Sequence, residues 1–542
     1  MAGRVFEFRQ ANPFTNDATQ KNFAVYGQDT WRVSEHITMN YGLRYEPWFP
    51  QQHKKGTVYS FSTAAFLANA RSTVYPDALP GFTYPGDPGF PTKAGLKPNW
   101  KNVQPRVGVS WDPNGDGRTS VRAGYGLSGD FVAGQFFTDA QQAWPFGYEE
   151  RLTGAAVGSL DDPWGGVGRV NPFPVRLGTG LAKGPGAPFI MVPQDLKGTR
   201  VHTWNVAVQR QLSDSMAVSA TYLGNRMMNI WGGVNGNPAL LPANATGPCT
   251  LRTTTGTQTF ANCSTAPINL RREISQTNPA VGQNIGYLDW VTDRGWQRYH
   301  GVLLSAQQRA ANGITANANY TWSTCEGNAQ SNTGGNPLNV GTGYSRPQSL
   351  LNPPANSQAL FDLDQGPCSL SPTHIFNVIA SAETPQFRST AVRMLASGWR
   401  LSGIFRASSG NALRIVTGID RSLDGLVTTA QRVDQVLDNV YGDKTLNNWF
   451  NPAAFAQPAV GAYGTSGYNA YLGPGTRTVD LALVRSFRVV NSQRLQARIE
   501  AFNALNWLRP QNPNTTLSSP TFGQILTAYD PRIVQFGLKY DF

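Results

Sequence analysis

The sequence predicts an all-β fold, an antiparallel sheet of about fourteen strands curved into the wall of a transmembrane barrel. Three observations carry this. Apolar and polar residues alternate with a period of two over runs of about ten residues, as in Ile37, Met39, Tyr41, Leu43 and Tyr45 against Thr38, Asn40, Gly42 and Arg44. These runs are joined alternately by short polar turns and by very long Gly/Pro/Asn-rich loops. Aromatic residues gather near strand ends: Trp31, Trp111 and Trp399 beside short turns, and Trp204, Tyr299 and Trp322 at the opposite ends. Soluble sheets have strands of about five or six residues and loops of about four to six. Long strands, unequal connections and two aromatic girdles are instead the pattern of a barrel in lipid.

Taken in order, strands are expected to begin near Val5, Asn22, Ile37, Arg106, Thr119, Val201, Met216, Tyr299, Ile314, His374, Trp399, Thr478, Gln493 and Arg532. The later ones repeat the first pattern. Ile314, Ala316, Ala318, Tyr320 and Trp322 alternate with Thr and Asn, and Val534, Phe536, Leu538, Tyr540 and Phe542 with Gln535, Gly537, Lys539 and Asp541. Short turns are expected at Val33–His36, Asp112–Arg118, Ser213–Ser215, Ala310–Gly313, Arg488–Ser492 and, somewhat longer, Pro385–Gly398. Five long loops are expected, running from about Glu46 to Gln104, Ser128 to Arg200, Asn225 to Arg298, Cys325 to Thr373 and Ala412 to Arg477. Strict alternation puts all short turns at one end of the wall and all long loops at the other. The one helical pattern is Gln431–Tyr441, where Val433, Val436, Leu437 and Val440 would share a face.

Composition removes other classes. Charged residues make up 14% of the 542 residues, against about 25% in ordinary globular proteins. Mean hydropathy is −0.33, so polar uncharged residues and glycine fill the gap. No apolar run of about 18 residues exists, which excludes a transmembrane helix, and the start MAGRVFEFRQANPF shows no signal-peptide core. The net charge is +12, yet Lys and Arg are scattered singly, so no nucleic-acid-binding block is formed.

Several stretches, in this order, resemble the C-terminal barrel portion of TonB-dependent receptors, in particular the Oar-like subgroup. They are NFAVYGQDTWRV with ITMNYGLRYEP, VQPRVGVSWDPNGDGRTSVRAGYG, TWNVAVQRQL with AVSATYLGNR, YHGVLLSAQQR with GITANANYTWS, GWRLSGIFRASSGNAL, NNWFNPAAFAQP, and RLQARIEAFNALN followed by FGQILTAYDPRIVQFGLKYDF. The resemblance implies a bacterial outer-membrane location, long extracellular loops and energised uptake of a ligand whose identity no loop motif encodes. It implies that Tyr540 and the terminal Phe542 act as the signal read by the barrel-assembly machinery. Such receptors carry a signal peptide, a TonB-contacting box and a plug domain, none of which is visible here, and their barrels have 22 strands. Residues 1–542 are therefore expected to be the last part of the wall, without the plug and the first strands. The expected partners are outer-membrane lipid and lipopolysaccharide, with the TonB complex engaged only through the missing plug.

Candidate chemistry is sparse. Cys249, Cys263, Cys325 and Cys368 are all placed in outer loops, none in a strand. Of three possible pairings, the local one, Cys249 with Cys263 and Cys325 with Cys368, suits an oxidising exterior; the alternative is four free thiols. Asp112-Pro-Asn-Gly-Asp-Gly117 begins like a calcium loop, but its twelfth position is Ala123 in place of a bidentate Glu, so a hairpin turn is expected. The five histidines are dispersed, and no nucleophile–base pair, metal motif or phosphate loop is present. No enzymatic activity and no cofactor are expected. Asp161–Asp162 and Asp362/Asp364 read as solvated loop carboxylates. Arg44, Arg122, Arg406, Arg498, Glu500 and Lys539 lie at polar positions of strands and are expected to face the lumen, because an Arg or Lys on the lipid face at mid-membrane costs about 2–4 kcal/mol. They would hold the plug or contact a polar solute. Trp144, Trp164, Trp231, Trp290 and Trp296 would stack on a ligand or pack the loops together. The competing functional readings are a passive porin or structural surface protein built as a complete smaller barrel, and a secreted β-rich binding protein.

Overall fold

The computed structural model describes residues 7–542 apart from 13–16, 130–145, 148, 154–156, 166–169, 172, 175–186, 243, 312, 329–345, 354–356, 425–430 and 489–492. One sheet of 15 strands dominates it; two short strands lie off the main path, and the rest form an antiparallel meander in strict chain order. The meander strands are β1 (Val25–Arg32), β2 (Ile37–Tyr45), β3 (Val103–Trp111), β4 (Thr119–Gly129), β5 (Arg200–Gln211), β6 (Met216–Asn235), β7 (Ile285–Ala311), β8 (Ile314–Gly327), β9 (His374–Glu383), β10 (Trp399–Ser408), β11 (Thr476–Arg488), β12 (Arg494–Phe502) and β13 (Ile533–Asp541). Their starts fall within three residues of the expected ones, except that β7 begins at Ile285, fourteen residues before Tyr299. Among the described residues no helix is long and apolar enough to cross a membrane; the crossing elements are strands.

The register shows why these residues form one wall. Paired residues in a sheet share a face, and one face stays apolar from strand to strand. Val107 pairs with Tyr125, Tyr125 with Trp204, Val206 with Tyr222, Tyr222 with Val302, Val302 with Trp322 and Trp322 with His374. Farther along, Phe405 pairs with Val479, Leu481 with Ala501, and Ile499 with Phe536. The other face carries Asn40 beside Gly108, Ser305 beside Asn319, Asn377 beside Arg406, and Glu500 beside Gln535. The apolar face is exposed: Val208 is 44% accessible, Leu304 46% and Phe536 78%. A wall that leaves this much apolar area uncovered requires lipid as its solvent.

Several expectations are corrected. The strand near Val5 is not part of the wall; Glu7–Ala11 pairs instead with Glu149–Thr153 in the second long loop. β1 is therefore the edge strand. There are six long loops, not five: residues 503–532 separate β12 from β13. The Pro385–Gly398 connection holds a helix, Thr390–Ala396. Gln431–Tyr441 is not helical. Asp434–Gln435 pairs with Phe455–Ala456, Val433 is fully buried, and Val436 and Leu437 are about half exposed, so the apolar residues share no face. Tertiary pairing overrides the local pattern here. Tyr299 pairs with Asn225 and Cys325 on the polar face, so it belongs to no outward girdle. The Arg488–Ser492 turn lies mostly outside the described residues. β6 and β7 run 20 and 27 residues, well past the others, and rise into the loops.

At the turn end, Asp112 caps its hairpin. Its carboxylate accepts from the Gly115 N–H at 3.1 Å and the Gly117 N–H at 2.9 Å. Both glycines adopt positive φ, 70° and 69°, which residues with a Cβ resist. The segment is the expected turn.

Candidate functional site

Two surfaces remain once lipid takes the apolar face: the polar face of the wall and the cap formed by the loops. Arg44, Arg122, Arg406, Arg498, Glu500 and Lys539 all fall on the polar face, opposite Gln104, Ser110, Thr478, Gly537, Gln535 and Gln496 respectively. They spread over five strands and do not converge on one point. Arg44 pairs with Glu46 at 3.0 Å, Arg498 reaches Glu500 at 4.0 Å, and Lys539 meets Asp541 at 2.7 Å. Pairs this exposed hold side chains in place more than they stabilise the fold. Near the turns, Arg118, Arg122, Gln209, Gln211 and Arg309 line a recess of about 170 Å³. A second, of about 270 Å³, is lined by Tyr26, Gln28's neighbour Gly27, Arg44 and Arg106. Fixed cations and amides of this kind bind a polar or anionic surface; they supply no nucleophile with its base. Among the described residues no group of three His, Cys, Asp or Glu is placed to hold a metal ion.

The six loops fold on one another. Tyr59, Phe66, Phe82, Phe189, Ile274 and Leu288 form a buried cluster drawn from the first, second and third loops and β7. Ile415, Val433, Phe450, Tyr471 and Phe522 join the fifth loop to the sixth. Buried arginines lock the third, fourth and fifth loops. Arg271, wholly buried, donates to the carbonyls of Leu240 at 3.3 Å, Ala266 at 3.2 Å and, across to the fifth loop, Leu423 at 2.7 Å. Arg272 donates to the Asn237 carbonyl at 2.7 Å and lies 4.4 Å over the Tyr287 ring. Arg432 donates to the carbonyls of Ser466 at 2.7 Å and Leu363 at 3.0 Å and pairs with Asp364 at 3.6 Å. Burial pulls the pKa of all three guanidiniums down from the ordinary arginine value. Glu273 accepts from Ser349 and from Asn352 of the fourth loop.

In the first loop, burial alone would raise the pKa of Asp87, but hydrogen bonds outweigh it and hold it below the usual value. Its donors are the Ser72 hydroxyl, the Thr73 hydroxyl and N–H at 2.7 Å, and the Tyr84 N–H at 2.8 Å.

These contacts revise the reading of the loop residues. Asp364 is buried against Arg432, and Asp362 accepts from Trp296, Asn328 and Gln358, so neither is a solvated carboxylate. Trp164 and Trp231 are buried; their indole N–H groups donate to Gln10 and to the Lys197 carbonyl. They pack loops together. Trp144 lies outside the described residues. The structure joins Cys249 to Cys263 and Cys325 to Cys368, each with Cα atoms 5.3 Å apart. Contrary to expectation, Cys249 begins a short strand, Cys249–Thr253, and Cys325 sits on β8. Tyr540 and Phe542 are exposed at the end of the last strand.

Sequence reading dispersed the histidines, but the fold gathers three of the five. Tyr125 and His202, Tyr222 and His300, and Tyr320 and His374 each share a 2.8 Å hydrogen bond between hydroxyl and Nδ1. All six side chains lie on the apolar face at the loop end of the wall. The available signal was weak: each His lies near the start of a strand expected from the sequence after a long loop, at apolar parity, although β7 itself begins fifteen residues before His300. The belt also measures the wall's tilt. Tyr125 pairs with Trp204, whereas Tyr222 pairs with Val206, two residues nearer the turn; Tyr222 pairs with Val302 and Tyr320 with Leu304, again two residues. A level belt that slips two residues (~6.6 Å) over two strands (~9.6 Å) means strands inclined by about 35°, within the tilt of closed barrels.

An inclined antiparallel wall with a lipid-facing apolar side, a polar inner side and a loop cap at one end defines an integral outer-membrane barrel protein. A protein-family model described as "Outer membrane beta barrel domain" matches residues 1–535, and the chain belongs to that family. It resides in the bacterial outer membrane. No curated protein matches it. Among solved structures it is similar to the outer membrane transporter YddB from Escherichia coli (11% identity, TM-score 0.44, covering 96% of this chain and 44% of that one). It is similar also to the FrpB iron transporter from Neisseria meningitidis (11%, 0.40, 97% and 46%) and to the ferric-catecholate import receptor Fiu from E. coli K12 (10%, 0.39, 96% and 44%). The chain spans less than half the length of each.

Proposed function

We propose that this chain forms the C-terminal part of the wall of a TonB-dependent receptor of the Oar-like kind, serving energised uptake of a ligand bound first by the loop cap. The observation that carries the reading is the pairing of a polar wall, lined by Arg44, Arg122, Arg406, Arg498, Glu500 and Lys539, with six interlocked outer loops. The polar wall suits a plug held by hydrogen bonds. The cap, rigidified by buried arginines and two cystine bridges, offers a preformed surface for recognition. The motifs from NFAVYGQDTWRV to FGLKYDF support the family assignment. The short turns then face the periplasm, and Tyr540 with Phe542 serves assembly. Coupling to the TonB complex would run through a plug domain outside residues 1–542.

Strand parity weighs against the passive-porin reading. β1 and β13 are the two ends of the meander, and both run from the loop end toward the turn end. Joining them directly would make a parallel seam, whereas bacterial single-chain barrels close with an even number of antiparallel strands. An odd number of further strands is needed between them; a wall of about 22 strands leaves nine. Each unpaired backbone group costs several kcal/mol in lipid, so the edges require partners.

Two measurements test the proposal. A deletion strain should lose growth on one member of a panel of iron chelates, oligosaccharides, peptides and vitamins; unimpaired growth on all of them removes the uptake role. Residues 1–542 alone, refolded and placed in liposomes, should not form a heat-modifiable monomer that conducts ions steadily. If they do, the partial-wall reading is wrong.

A further inference from the structure

We infer that Arg106, on the inner face of the wall, receives a carboxylate from an acidic segment laid against β2–β4, and that this segment belongs to the plug outside residues 1–542. The inference rests on the receptor reading proposed above and adds to it the place and the sign of the contact.

Arg106 stands apart from other side chains. It pairs with Gly42 on one side and Gly126 on the other, so neither cross-strand neighbour offers it a partner. Among the described residues no hydrogen bond or ion pair holds its guanidinium. It adjoins Val107, the cross-strand partner of Tyr125 in the outward belt. Such belts mark the edge of the hydrocarbon, so Arg106 stands at that level on the lumen side. Glu46, just beyond β2, is already taken by Arg44 at 3.0 Å and Gln104 at 3.3 Å. Along β1 to β6 the inner-face positions carry Arg32, Arg44, Arg106 and Arg122 and no Asp or Glu. A guanidinium in a wet lumen is tolerable, but one covered by protein is costly until a carboxylate meets it.

A patch of glycines marks where the segment lies. Gly108 pairs with Gly124, and Arg106 links Gly42 to Gly126, so four bare positions adjoin over three strands. Glycine weakens a strand, and inside one it marks close approach by a ligand or another backbone. The wall itself requires no glycine at 108 or 126. Neither residue adopts positive φ. An added Cβ would come no closer than 3.7 Å to Ala123 O at Gly108, and 3.6 Å to Thr203 Oγ1 at Gly126. The bare backbone leaves two recesses with Arg106 between them. One, of about 540 Å³, is floored by Gly124 and Gly126 and rimmed by Thr203, Asn205 and Asn225. The other, of about 270 Å³, lies over Gly42 beside Gln28 and Arg44. A free anion needs only the cations. A side-chain-free patch three strands wide suits a backbone laid along it, from which an Asp or Glu reaches Arg106.

The test uses the full-length protein encoded by the gene, purified from outer membranes in detergent. Arg106→Lys puts a primary amine at the site, and a water-soluble carbodiimide joins that amine to a carboxylate in contact with it. Peptide mapping should find the introduced amine linked to an Asp or Glu that precedes residue 1. Reversing the pair, Arg106→Glu with that acid replaced by lysine, should restore the link. Arg106→Gln should raise the fraction of protein that conducts steadily in planar bilayers under mild urea about tenfold, from loss of one charge-assisted hydrogen bond. Gly108→Val should act in the same direction by crowding the segment. A heat-modifiable band confirms that each variant is folded. A link from Arg106→Lys to Glu46 or to another carboxylate within residues 1–542, no link at all, or unchanged conductance in both Arg106→Gln and Gly108→Val overturns the inference. Ser305→Lys and Asn377→Lys, elsewhere on the inner face, separate the two levels of the claim. Upstream links from these positions with none from Arg106→Lys keep the plug and remove this site, whereas no upstream link from any of the three removes the receptor reading itself.

Discussion

Tyr222 and His300 share a 2.8 Å hydrogen bond between neighbouring strands on the outward face of the wall, and their rings lie 16° from parallel with centroids 6.2 Å apart. The same bond recurs at Tyr125–His202 and Tyr320–His374. Each ring presents an apolar body to lipid and a polar edge to its partner, as side chains at a membrane boundary do. At the turn end the corresponding contact is Arg485, 5.0 Å over the Trp399 ring and 4.7 Å over Phe487. The two levels bracket the apolar band.

The assignment of faces is tested by a neighbouring pair of substitutions on β6. Ala220→Arg should destabilise the folded barrel by about 2–4 kcal/mol, because it puts a charge on the lipid face near mid-band. Ser219→Arg, one residue away on the polar face, should cost much less. Urea titration in detergent or liposomes measures both. Equal costs would mean that the face assignment is wrong.

Topology is tested by cysteine labelling on intact cells. Asn114→Cys, in an exposed turn, should resist an impermeant reagent, and Leu160→Cys, 77% exposed in the second loop, should react. Glycine positions serve poorly: a Cβ at Gly115 would sit 2.3 Å from His36 Cε1, and one at Gly165 2.4 Å from Asp162 Oδ2. The reverse labelling pattern inverts the wall.

The first loop should loosen in mild acid. Burial lowers the pKa of His53 from 6.5 to about 4. Above pH 6.5 the ring is neutral whether the loop is folded or open, so its contribution to stability is fully present there. As pH falls from 6.5 toward 4, only the open form takes the proton, and about 3 kcal/mol of local stability is lost. Protection factors of residues 52–96, which divide out the intrinsic pH dependence of amide exchange, should fall between pH 7 and pH 4.5, and His53→Gln should flatten that dependence.

Asp87 should be the most sensitive polar residue of the same loop. Asp87→Ala strands donors from Ser72, Thr73 and Tyr84, and a loss of about 3 kcal/mol is expected. The readout is protease sensitivity near Ser72–Asp87, with barrel heat-modifiability unchanged.

Non-reduced peptide mapping should recover Cys249 joined to Cys263 and Cys325 joined to Cys368. Reduction should cost about 2–4 kcal/mol at each bridge and act on the loops, leaving wall strands protected from exchange. A peptide joining Cys249 to Cys325 would contradict the structure.

Much of the wall was legible because a half-solvated strand writes its two faces into alternate residues. Met39, Tyr41 and Leu43 could not be read otherwise, and Arg44, Arg122 and Arg406 fell to the polar face for the same reason. The Val5 strand was misplaced because alternation shows that a segment is extended, not what it pairs with. The helix expected at Gln431–Tyr441 failed because Phe455 and Ala456, twenty residues away, supply a strand partner that a local window does not contain. Asp364 was read as solvated because its partner, Arg432, is 68 residues on.

By itself, the sequence determined the strand order, the two faces, the short and long ends, and the local spacing of the cysteines. All of these follow from side-chain periodicity and connection length, which are properties of neighbouring residues. Only the tertiary structure decided that the six loops form one interlocked cap, that Arg271 and Arg432 are buried at its seams, and that three dispersed histidines align in a single belt. Those facts depend on strand register and tilt, which bring together residues tens to hundreds of positions apart.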